Sequence, residues 1–307
     1  MPLRAARLTA VHAGGTASAI AAIGAVLLLV AAAVVHGAQD PLEVRDARLI
    51  DAAVAAMPAQ RPGHPDLYVL GFAGDGHEDV FRNEVLYLET VAALRLDADG
   101  RTLSLVNHAD SLGVSPRPLA TAANLRRALA GIGAAMDRDE DLLLLYLASH
   151  GSVDHALSLR LYPVIEGGLR PAEIRRALDL SGIRHRVIVV SACFSGGFLP
   201  ALRDPGTLVV TASRHDRASF GCGVASVATY FGRAWLVEGM NQGTSFVAAY
   251  DHATRMVAAR ERREGFDPSL PQIAIGSGIA SRLAAWQATL PAADAVPYPH
   301  VESDADE

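Results

Sequence analysis

From Leu67 onward, short apolar runs alternate with longer stretches in which apolar residues recur at helical spacing. The runs typical of strands are LYVLGFA (67–73), TLSLVNH (102–108), DLLLLYLASH (141–150), RVIVVSAC (186–193), TLVVTAS (207–213) and PQIAIGS (271–277). Helical spacing occurs at about 80–96, 121–136, 171–180, 227–239 and 245–265. Nearly continuous apolar strands separated by helices predict a parallel sheet covered by helices on both faces. Such a sheet places functional residues at the carboxyl ends of its strands.

The segments around this alternating pattern predict simpler features. Residues 41–57 have helical spacing and begin with a proline suited to a first helical turn. Residues 60–66 are rich in turn formers and predict a linker. Residues 155–168 break the rhythm and predict a small hairpin beside the sheet edge. The acidic, proline-bearing stretch 291–307 holds too few apolar residues to pack, so we expect a disordered tail.

The N-terminal region contains one long apolar stretch. There is no charged residue from Leu8 to Gln39, and 17–35 is continuously apolar or small. About 20 such residues span a bilayer as a helix, whereas the apolar part of a secretory signal has about 7 to 15. The length favours an uncleaved anchor. A cleaved signal peptide is the alternative, for which Val35 and Gly37 form a poor cleavage site.

The charges beside this stretch predict its orientation. Arg4 and Arg7 precede it, while Asp40, Glu43 and Asp46 follow it. Positive residues tend to stay on the cytoplasmic side. We therefore expect a short cytoplasmic N-terminus and an exported main domain.

The composition excludes several functional classes. The net charge is −6 and the arginines are scattered among acids, so the basic stripe of a nucleic-acid-binding protein is absent. The sequence contains no lysine, which excludes a phosphate-loop lysine, a Schiff-base lysine and a Ser-Lys dyad. Nucleophile candidates are therefore Cys, Ser, Thr, Asp and Glu. The two cysteines, Cys193 and Cys222, are too few for a disulfide framework.

Polar residues follow three of the expected strands. YLASHGS ends in His150 and Gly151, VVSACFSGG ends in Cys193, and VVTASRHD ends in His215 and Asp216. The carboxyl ends of parallel strands lie on one edge, with neighbouring strands about 4.8 Å apart. If the third and fourth runs are neighbours, His150 and Cys193 face the same crevice.

A thiol beside an imidazole is the arrangement that nucleophilic cysteine catalysis requires. The imidazole promotes ionisation of the thiol and supplies a proton to the leaving group. Gly151 lets a backbone N–H approach a developing oxyanion, and the amide of Cys193 supplies a second donor. The alternative is structural, with His150 capping a strand end and Cys193 packing as a small apolar residue. Two reactive side chains at separate strand ends favour catalysis.

The remaining candidates have simpler interpretations. Cys222 is expected as a packed thiol in a loop, and a disulfide with Cys193 is disfavoured because it would silence the nucleophile. His215 and Asp216 form either a second acid/base pair or, more in keeping with their charged surroundings, a solvated turn. GFAGDG (71–76) lacks the spacing and lysine of a phosphate-binding loop and predicts a flexible turn.

No metal or other cofactor is expected from the sequence. The scattered histidines His64, His77 and His108 do not have metal-ligand spacing.

The motifs resemble those of a known family. LLYLASHGS and VIVVSACFSGGF are similar to the His-Gly and Ala-Cys-x-Ser-Gly motifs of legumain-type cysteine peptidases, whose domain is similar to that of caspases. GFAGDGHEDVFRNEV, TASRHDRASFGC and TYFGRAWLVEGM extend the resemblance in order, from Leu67 to the sixth strand. The bacterial, membrane-anchored branch is the most similar. The resemblance implies a caspase-like three-layer α/β/α sandwich with a mostly parallel six-stranded sheet.

The resemblance also implies roles for individual residues. His150 would be the acid/base, Cys193 the nucleophile, and the amides of Gly151 and Cys193 the oxyanion hole. Arg82 and Ser219 match residues in the pocket for the side chain before the cleaved bond.

The sequence departs from the family in that pocket. Phe194 and Arg233 stand where legumains place acidic residues, so an asparagine preference does not carry over. Two arginines, Arg82 and Arg233, would instead favour an acidic side chain through bidentate pairing. The family's histidine-orienting asparagine aligns with Val80, beside Asp79, so the catalytic unit is expected to be a dyad.

These observations predict a membrane-anchored cysteine endopeptidase that acts on peptides or proteins through a thioester acyl-enzyme. The alternatives are a transpeptidase or ligase of the same family, and a catalytically silent tethered binding domain. The expected localisation is the bacterial inner membrane, with a single span contacting the lipid bilayer and the catalytic domain facing the periplasm or exterior. The sequence does not determine the oligomeric state.

The expected organisation has five parts. They are a cytoplasmic N-terminus (1–16), a transmembrane signal anchor (17–36), a membrane-proximal helix and linker (37–64), a caspase-like peptidase domain (65–290) and a disordered acidic tail (291–307).

Overall fold

The computed structural model describes residues 41–223 and 226–300 of the 307-residue chain. The chain divides into two compact units, Met1–Val44 and Arg45–Glu307, and the sheet lies in the second. No helix within the described ranges is long and apolar enough to cross a membrane. The anchor expected at 17–36 lies outside those ranges and stays a prediction.

The described residues form a six-stranded sheet and a separate two-stranded hairpin. The strands are β1 (Leu67–Ala73), β2 (Thr102–Val106), β3 (Leu142–Ala148), β4 (Leu157–Leu161), β5 (Ile165–Leu169), β6 (Arg186–Ser191), β7 (Thr207–Thr211) and β8 (Gln272–Ile275). The sheet has the order β2-β1-β3-β6-β7-β8. Its neighbours are parallel except for β8, which runs antiparallel to β7.

Helices connect most of these strands. They are α1 (Leu42–Ala55), α2 (Asp79–Arg95), α3 (Ala122–Ala135), α4 (Pro171–Ser181), α5 (Leu199–Leu202), α6 (Tyr230–Gly232), α7 (Phe246–Glu264) and α8 (Ile279–Gln287). Short 3₁₀ turns cover Ala109–Leu112 and Ser195–Phe198, and a π-helix, Arg233–Met240, follows α6 directly. The helix expected at 227–239 is therefore mostly a π-helix that begins later.

The strands are apolar almost throughout because both faces of the sheet are covered. Every residue of β1 and β3 is buried. Leu67 and Val69 point into a core formed with α2, the π-helix and α7. Tyr68 and Leu70, on the other face, point into a core formed with α3 and α4. The expected three-layer α/β/α sandwich with a mostly parallel six-stranded sheet is confirmed.

The expected hairpin, β4 with β5, is joined to the carboxyl ends of β1 and β3. The N–H of Arg160 donates to the carbonyl of Gly74 at 2.9 Å, and the N–H of Ser158 donates to the carbonyl of His150 at 2.9 Å. A β-carbon at Gly74 would overlap the carbonyl oxygen of Ser158. Glycine in GFAGDG therefore permits close backbone approach, which fixes the hairpin beside the sheet edge.

The C-terminal segment differs from the expected disordered tail. Residues 291–300 lie along α2, where the Tyr87 hydroxyl donates to the carbonyl of Val296 at 2.7 Å. The Tyr298 ring packs edge-on against Tyr87, with ring centroids 4.8 Å apart. The side chain of Arg95 donates to the carbonyl of Ala293. Composition alone predicted disorder over 291–307, but two aromatic rings and side-chain hydrogen bonds to backbone carbonyls hold 291–300, which we name the C-terminal strap. Residues 301–307 lie outside the described ranges.

Candidate active site

The carboxyl ends of β3 and β6 meet as the sequence predicted. The two strands pair in parallel register up to Ala148 and Ser191, and His150 and Cys193 each follow two residues later. The N–H of Ser149 donates to the carbonyl of Ser191 at 3.3 Å. A β-carbon at Gly151 would overlap the carbonyl oxygen of Cys193. The imidazole and the thiol therefore emerge from adjacent, closely packed backbone segments.

The thiol of Cys193 is held by Ser219. Its Sγ lies 3.3 Å from the Ser219 carbonyl oxygen, to which the thiol donates. The N–H of Ser219 donates to Sγ at 3.2 Å, and its hydroxyl lies 3.7 Å from Sγ. No hydrogen bond between Cys193 and His150 occurs in this described region. Hydrogen bonds within catalytic pairs often shorten only when substrate binds.

The imidazole of His150 is held by Glu78, a residue that the sequence reasoning missed. Nε2 of His150 lies 2.9 Å from Oε2 of Glu78, whose side chain is largely buried. The ring also meets the edge of Phe81, with centroids 5.0 Å apart and planes 81° apart. Because a carboxylate accepts hydrogen bonds, Nε2 is the ring nitrogen that donates in this contact.

Glu78 directly precedes the two positions, Asp79 and Val80, that the motif comparison indicated. Val80, at the aligned position, is fully buried, and Asp79 pairs with Arg82 and His108. Glu78 immediately precedes α2, so it stands at the carboxyl edge that also bears His150. An acidic residue between the end of β1 and the first turn of α2 was the available signal.

The turn after Cys193 is fixed on both sides. Phe194 has a left-handed backbone, φ 55°, and its N–H donates to the carbonyl of Arg217 at 2.8 Å. The buried Ser195 and Ser213 exchange hydrogen bonds, each N–H donating to the other's hydroxyl at 3.1 Å. These contacts join the ends of β6 and β7 and give Cys193 a defined position.

The proposed oxyanion donors remain available. The backbone bridge between Gly151 and Leu157 uses the N–H of Ser152 and the N–H of Ser158 as donors. Within the described ranges, neither the N–H of Gly151 nor that of Cys193 makes a hydrogen bond. Both amides therefore have the chemistry of an oxyanion hole.

A comparison with known families now fits this geometry. The model of the Peptidase C13 family matches residues 126–282, just over half of the chain. The chain belongs to the peptidase C13 family. This is the legumain family, so the resemblance seen in the motifs is confirmed, and the chain is a cysteine peptidase, a hydrolase acting on peptide or protein substrates.

The other comparisons are more distant. No curated protein matches the chain. A crystal structure of caspase-1 from Spodoptera frugiperda is 14% identical, with a TM-score of 0.46, covering 71% of this chain and 92% of the caspase chain.

The substrate residues suggested by the family are only partly brought together. Ser219 contacts the thiol of Cys193. Arg82 instead joins a charged cluster at the end of β2, 3.0 Å from Asp110 and 3.2 Å from Asp79, with Nη1 2.9 Å from the ring of His108. Arg233 begins the π-helix, and its N–H donates to the carbonyl of Thr229 at 2.9 Å. A role for Arg82 or Arg233 in specificity stays a prediction.

The second cysteine is chemically different from the first. Both cysteines are free, so they do not form a disulfide. Cys222 packs against the core, and burial raises the pKa of its thiol to about 11, with the nearby Cys193 contributing. Cys222 is therefore a poor nucleophile at neutral pH.

The turn after β7 is a solvated ion pair, as the simpler interpretation expected. The side chain of Arg214 donates to both carboxylate oxygens of Asp216, at 2.5 and 2.9 Å. This hydrogen bonding lowers the pKa of Asp216 to about 2. His215 contacts the ring of His155 rather than Asp216, with centroids 6.4 Å apart. No acidic, histidine or cysteine cluster suited to a metal occurs in the described residues.

Proposed function

We propose that this peptidase C13 chain is an endopeptidase in which Cys193 is the nucleophile and His150 the acid/base. The observation that supports it most directly is the convergence of the two strand ends, with Gly151 packed against the backbone of Cys193. Proximity of this kind supplies much of the advantage of an enzyme-bound nucleophile.

The reaction proceeds by acyl transfer. Nδ1 of His150 takes the thiol proton as Sγ of Cys193 bonds to the substrate carbonyl carbon, and the amides of Gly151 and Cys193 hold the oxyanion. The C–N bond then breaks, and the imidazolium protonates the departing amine, which leaves a thioester on Cys193. Water, deprotonated by His150, attacks the thioester and releases the acid and the thiol. An amine in place of water would give ligation.

Glu78 extends the catalytic pair to a triad. As a positioning residue it fixes the imidazole so that Nδ1 faces the thiol, and its charge stabilises the imidazolium formed during the reaction. The 2.9 Å contact and the packed Phe81 edge support this role.

The proposal includes attachment to the bilayer through residues 17–36, with the catalytic domain outside the cytoplasm of a bacterial cell. The uncharged stretch and the flanking charges support it. Cell fractionation with protease added to spheroplasts tests it. Recovery of the full chain in the soluble fraction, or a catalytic domain protected from added protease, would contradict it.

Thiol labelling tests the catalytic assignment directly. Iodoacetamide near neutral pH is expected to label Cys193 and spare Cys222, whose thiol stays protonated. His150→Ala should slow the labelling of Cys193, and Cys193→Ala should abolish peptide hydrolysis. Equal, slow labelling of both cysteines, unaffected by His150→Ala, would favour the tethered binding domain instead.

A further inference from the structure

A cavity of about 460 Å³ lies beside the catalytic histidine. The segment after β1, the turn after β3 and the β4–β5 hairpin border this open cavity. Its lining includes Asp75, His150, Gly151, Arg160 and Gly168, whereas neither Cys193 nor Ser219 lines it. The cavity therefore lies on the imidazole side of the site, away from the contact between Ser219 and the thiol.

The direction of acyl transfer determines which part of a substrate can occupy this cavity. The group that protonates the leaving amine must lie within hydrogen-bonding reach of it. In the proposed reaction that group is His150, so the first residue after the cleaved bond departs beside the imidazole. The cavity at His150 is thus placed for the segment that follows the cleaved bond.

Arg160 gives this cavity an exposed positive charge. Its side chain is 54% exposed, and Nε lies 3.9 Å from Oδ2 of Asp75. Asp75 is buried, and its carboxylate accepts hydrogen bonds from the Ser158 hydroxyl at 2.6 Å and the His77 N–H at 3.0 Å. Asp75 is therefore part of the wall, while the guanidinium of Arg160 remains accessible to a ligand.

A second carboxylate lies on the same face of the hairpin as this guanidinium. Glu166 lies opposite Arg160 in the antiparallel register of the hairpin and is exposed. Residues in directly opposite positions share a face of the hairpin. The charge of Glu166 should therefore weaken the attraction of Arg160 for an incoming anion.

We propose that this cavity binds the substrate segment after the cleaved bond, and that Arg160 selects an Asp or Glu side chain there. A guanidinium recognises a carboxylate through paired N–H donors. The inference rests on the proposed function, because it uses His150 as the proton donor to the leaving amine.

The test compares peptides that are identical before the cleaved bond and carry Asp, Ala or Lys in the two positions after it. We expect kcat/KM to favour Asp over Lys by about fivefold, the size expected of one exposed ion pair. Arg160→Gln should remove this ratio, Arg160→Lys should keep part of it, and Glu166→Gln should increase it. Arg170→Gln is the matched control, because Arg170 pairs with Asp154 at 2.7 Å and does not line the cavity.

A steric pair of variants tests the location separately. A β-carbon at Gly168 would lie 3.4 Å from the β-carbon of Ala156, which is ordinary contact. Gly168→Ala should therefore be tolerated, whereas Gly168→Leu should project into the cavity. We expect Gly168→Leu to lower kcat/KM for the long peptides relative to the methyl ester of the same acyl group, whose methanol leaving group needs no cavity.

The outcomes separate this inference from the proposed function. If the wild type cleaves the peptides but neither Arg160→Gln nor Glu166→Gln changes the Asp-to-Lys ratio, the inference is overturned and the peptidase mechanism stands. If no peptide is cleaved, calorimetry with Cys193→Ala and an acidic tripeptide decides. Binding that Arg160→Gln weakens supports the cavity assignment without the mechanism, and no such difference contradicts both.

Discussion

Two glutamates near the start of α2 lie six residues apart and have opposite surroundings. Glu78, directly before the helix, reaches His150 at the sheet edge. Glu84 is fully buried and accepts hydrogen bonds from the Tyr146 hydroxyl and the Thr229 N–H, both at 2.7 Å. Burial raises the pKa of Glu84. One carboxylate thus contacts an imidazole at the sheet edge, whereas the other joins α2, β3 and the segment before α6.

The exposed edge before α2 and the buried second turn of the helix thus place carboxylates in different roles, one beside an imidazole and one within the core. The site end should tolerate neutral substitutions without unfolding, and the buried end should lose stability when its partners are left unpaired.

His150→Ala should have the largest effect on activity. Removing a general acid/base lowers the rate by about 10²- to 10⁴-fold. The side chain lies at the edge of the sheet and is about one-third exposed, so the melting temperature should stay close to that of the wild type. Peptide hydrolysis and a thermal melt measured together check this, and an unchanged rate would remove His150 from the mechanism.

Glu78→Gln should lower kcat by about 10- to 100-fold, less than the loss of the imidazole itself. The amide keeps the shape but removes the charge that faces the imidazolium. We expect KM to change little and Glu78→Asp to restore part of the rate. Steady-state kinetics of both variants test this; equal losses in both, with a lowered melting temperature, would indicate a merely structural role.

Glu84→Ala should reverse the pattern. It leaves the Tyr146 hydroxyl and the Thr229 N–H without their buried acceptor, which typically costs about 1–3 kcal/mol for each such group. The free energy of unfolding, measured with urea, should fall accordingly. A variant as stable as the wild type would show that this network contributes nothing to the fold.

The smallest effect concerns pH. Because the pKa of Glu84 is raised above its ordinary 4.5, the folded protein holds this proton more tightly than the unfolded chain. The resulting stability is present below about pH 4.5 and is lost as the pH rises through the raised value. Glu84→Gln lacks this dependence. The stability of the wild type relative to Glu84→Gln should therefore decline with rising pH, and a difference independent of pH would contradict the assignment.

The fold was predictable because its strands are buried on both faces. Uninterrupted apolar runs such as LLLLYLA in β3 are difficult to place anywhere except in a covered parallel sheet. The proximity of His150 and Cys193 was predictable from the same pattern, because each follows the carboxyl end of a strand. It required only that β3 and β6 be neighbours in the sheet, as they are.

Other features depend on three-dimensional detail that the sequence pattern does not contain. The contact of Glu78 with His150 requires a particular orientation of the first turn of α2. Arg82 lies one turn further along, yet it joins Asp110 at the end of β2. An acidic, proline-bearing composition favours disorder at 291–300, whereas the packing of Tyr298 on Tyr87 and the hydrogen bonds from Tyr87 and Arg95 hold this segment on α2.

The C-terminal strap has a practical consequence for handling this protein. The strap accepts hydrogen bonds from Tyr87 and Arg95 of α2. Glu78, which contacts the imidazole of His150, directly precedes the N-terminus of the same helix. A chain that ends at residue 290 would lack these contacts. We therefore expect a lower kcat, although the truncation lies far from His150. A C-terminal purification tag should therefore be placed so that the strap (291–300) is retained.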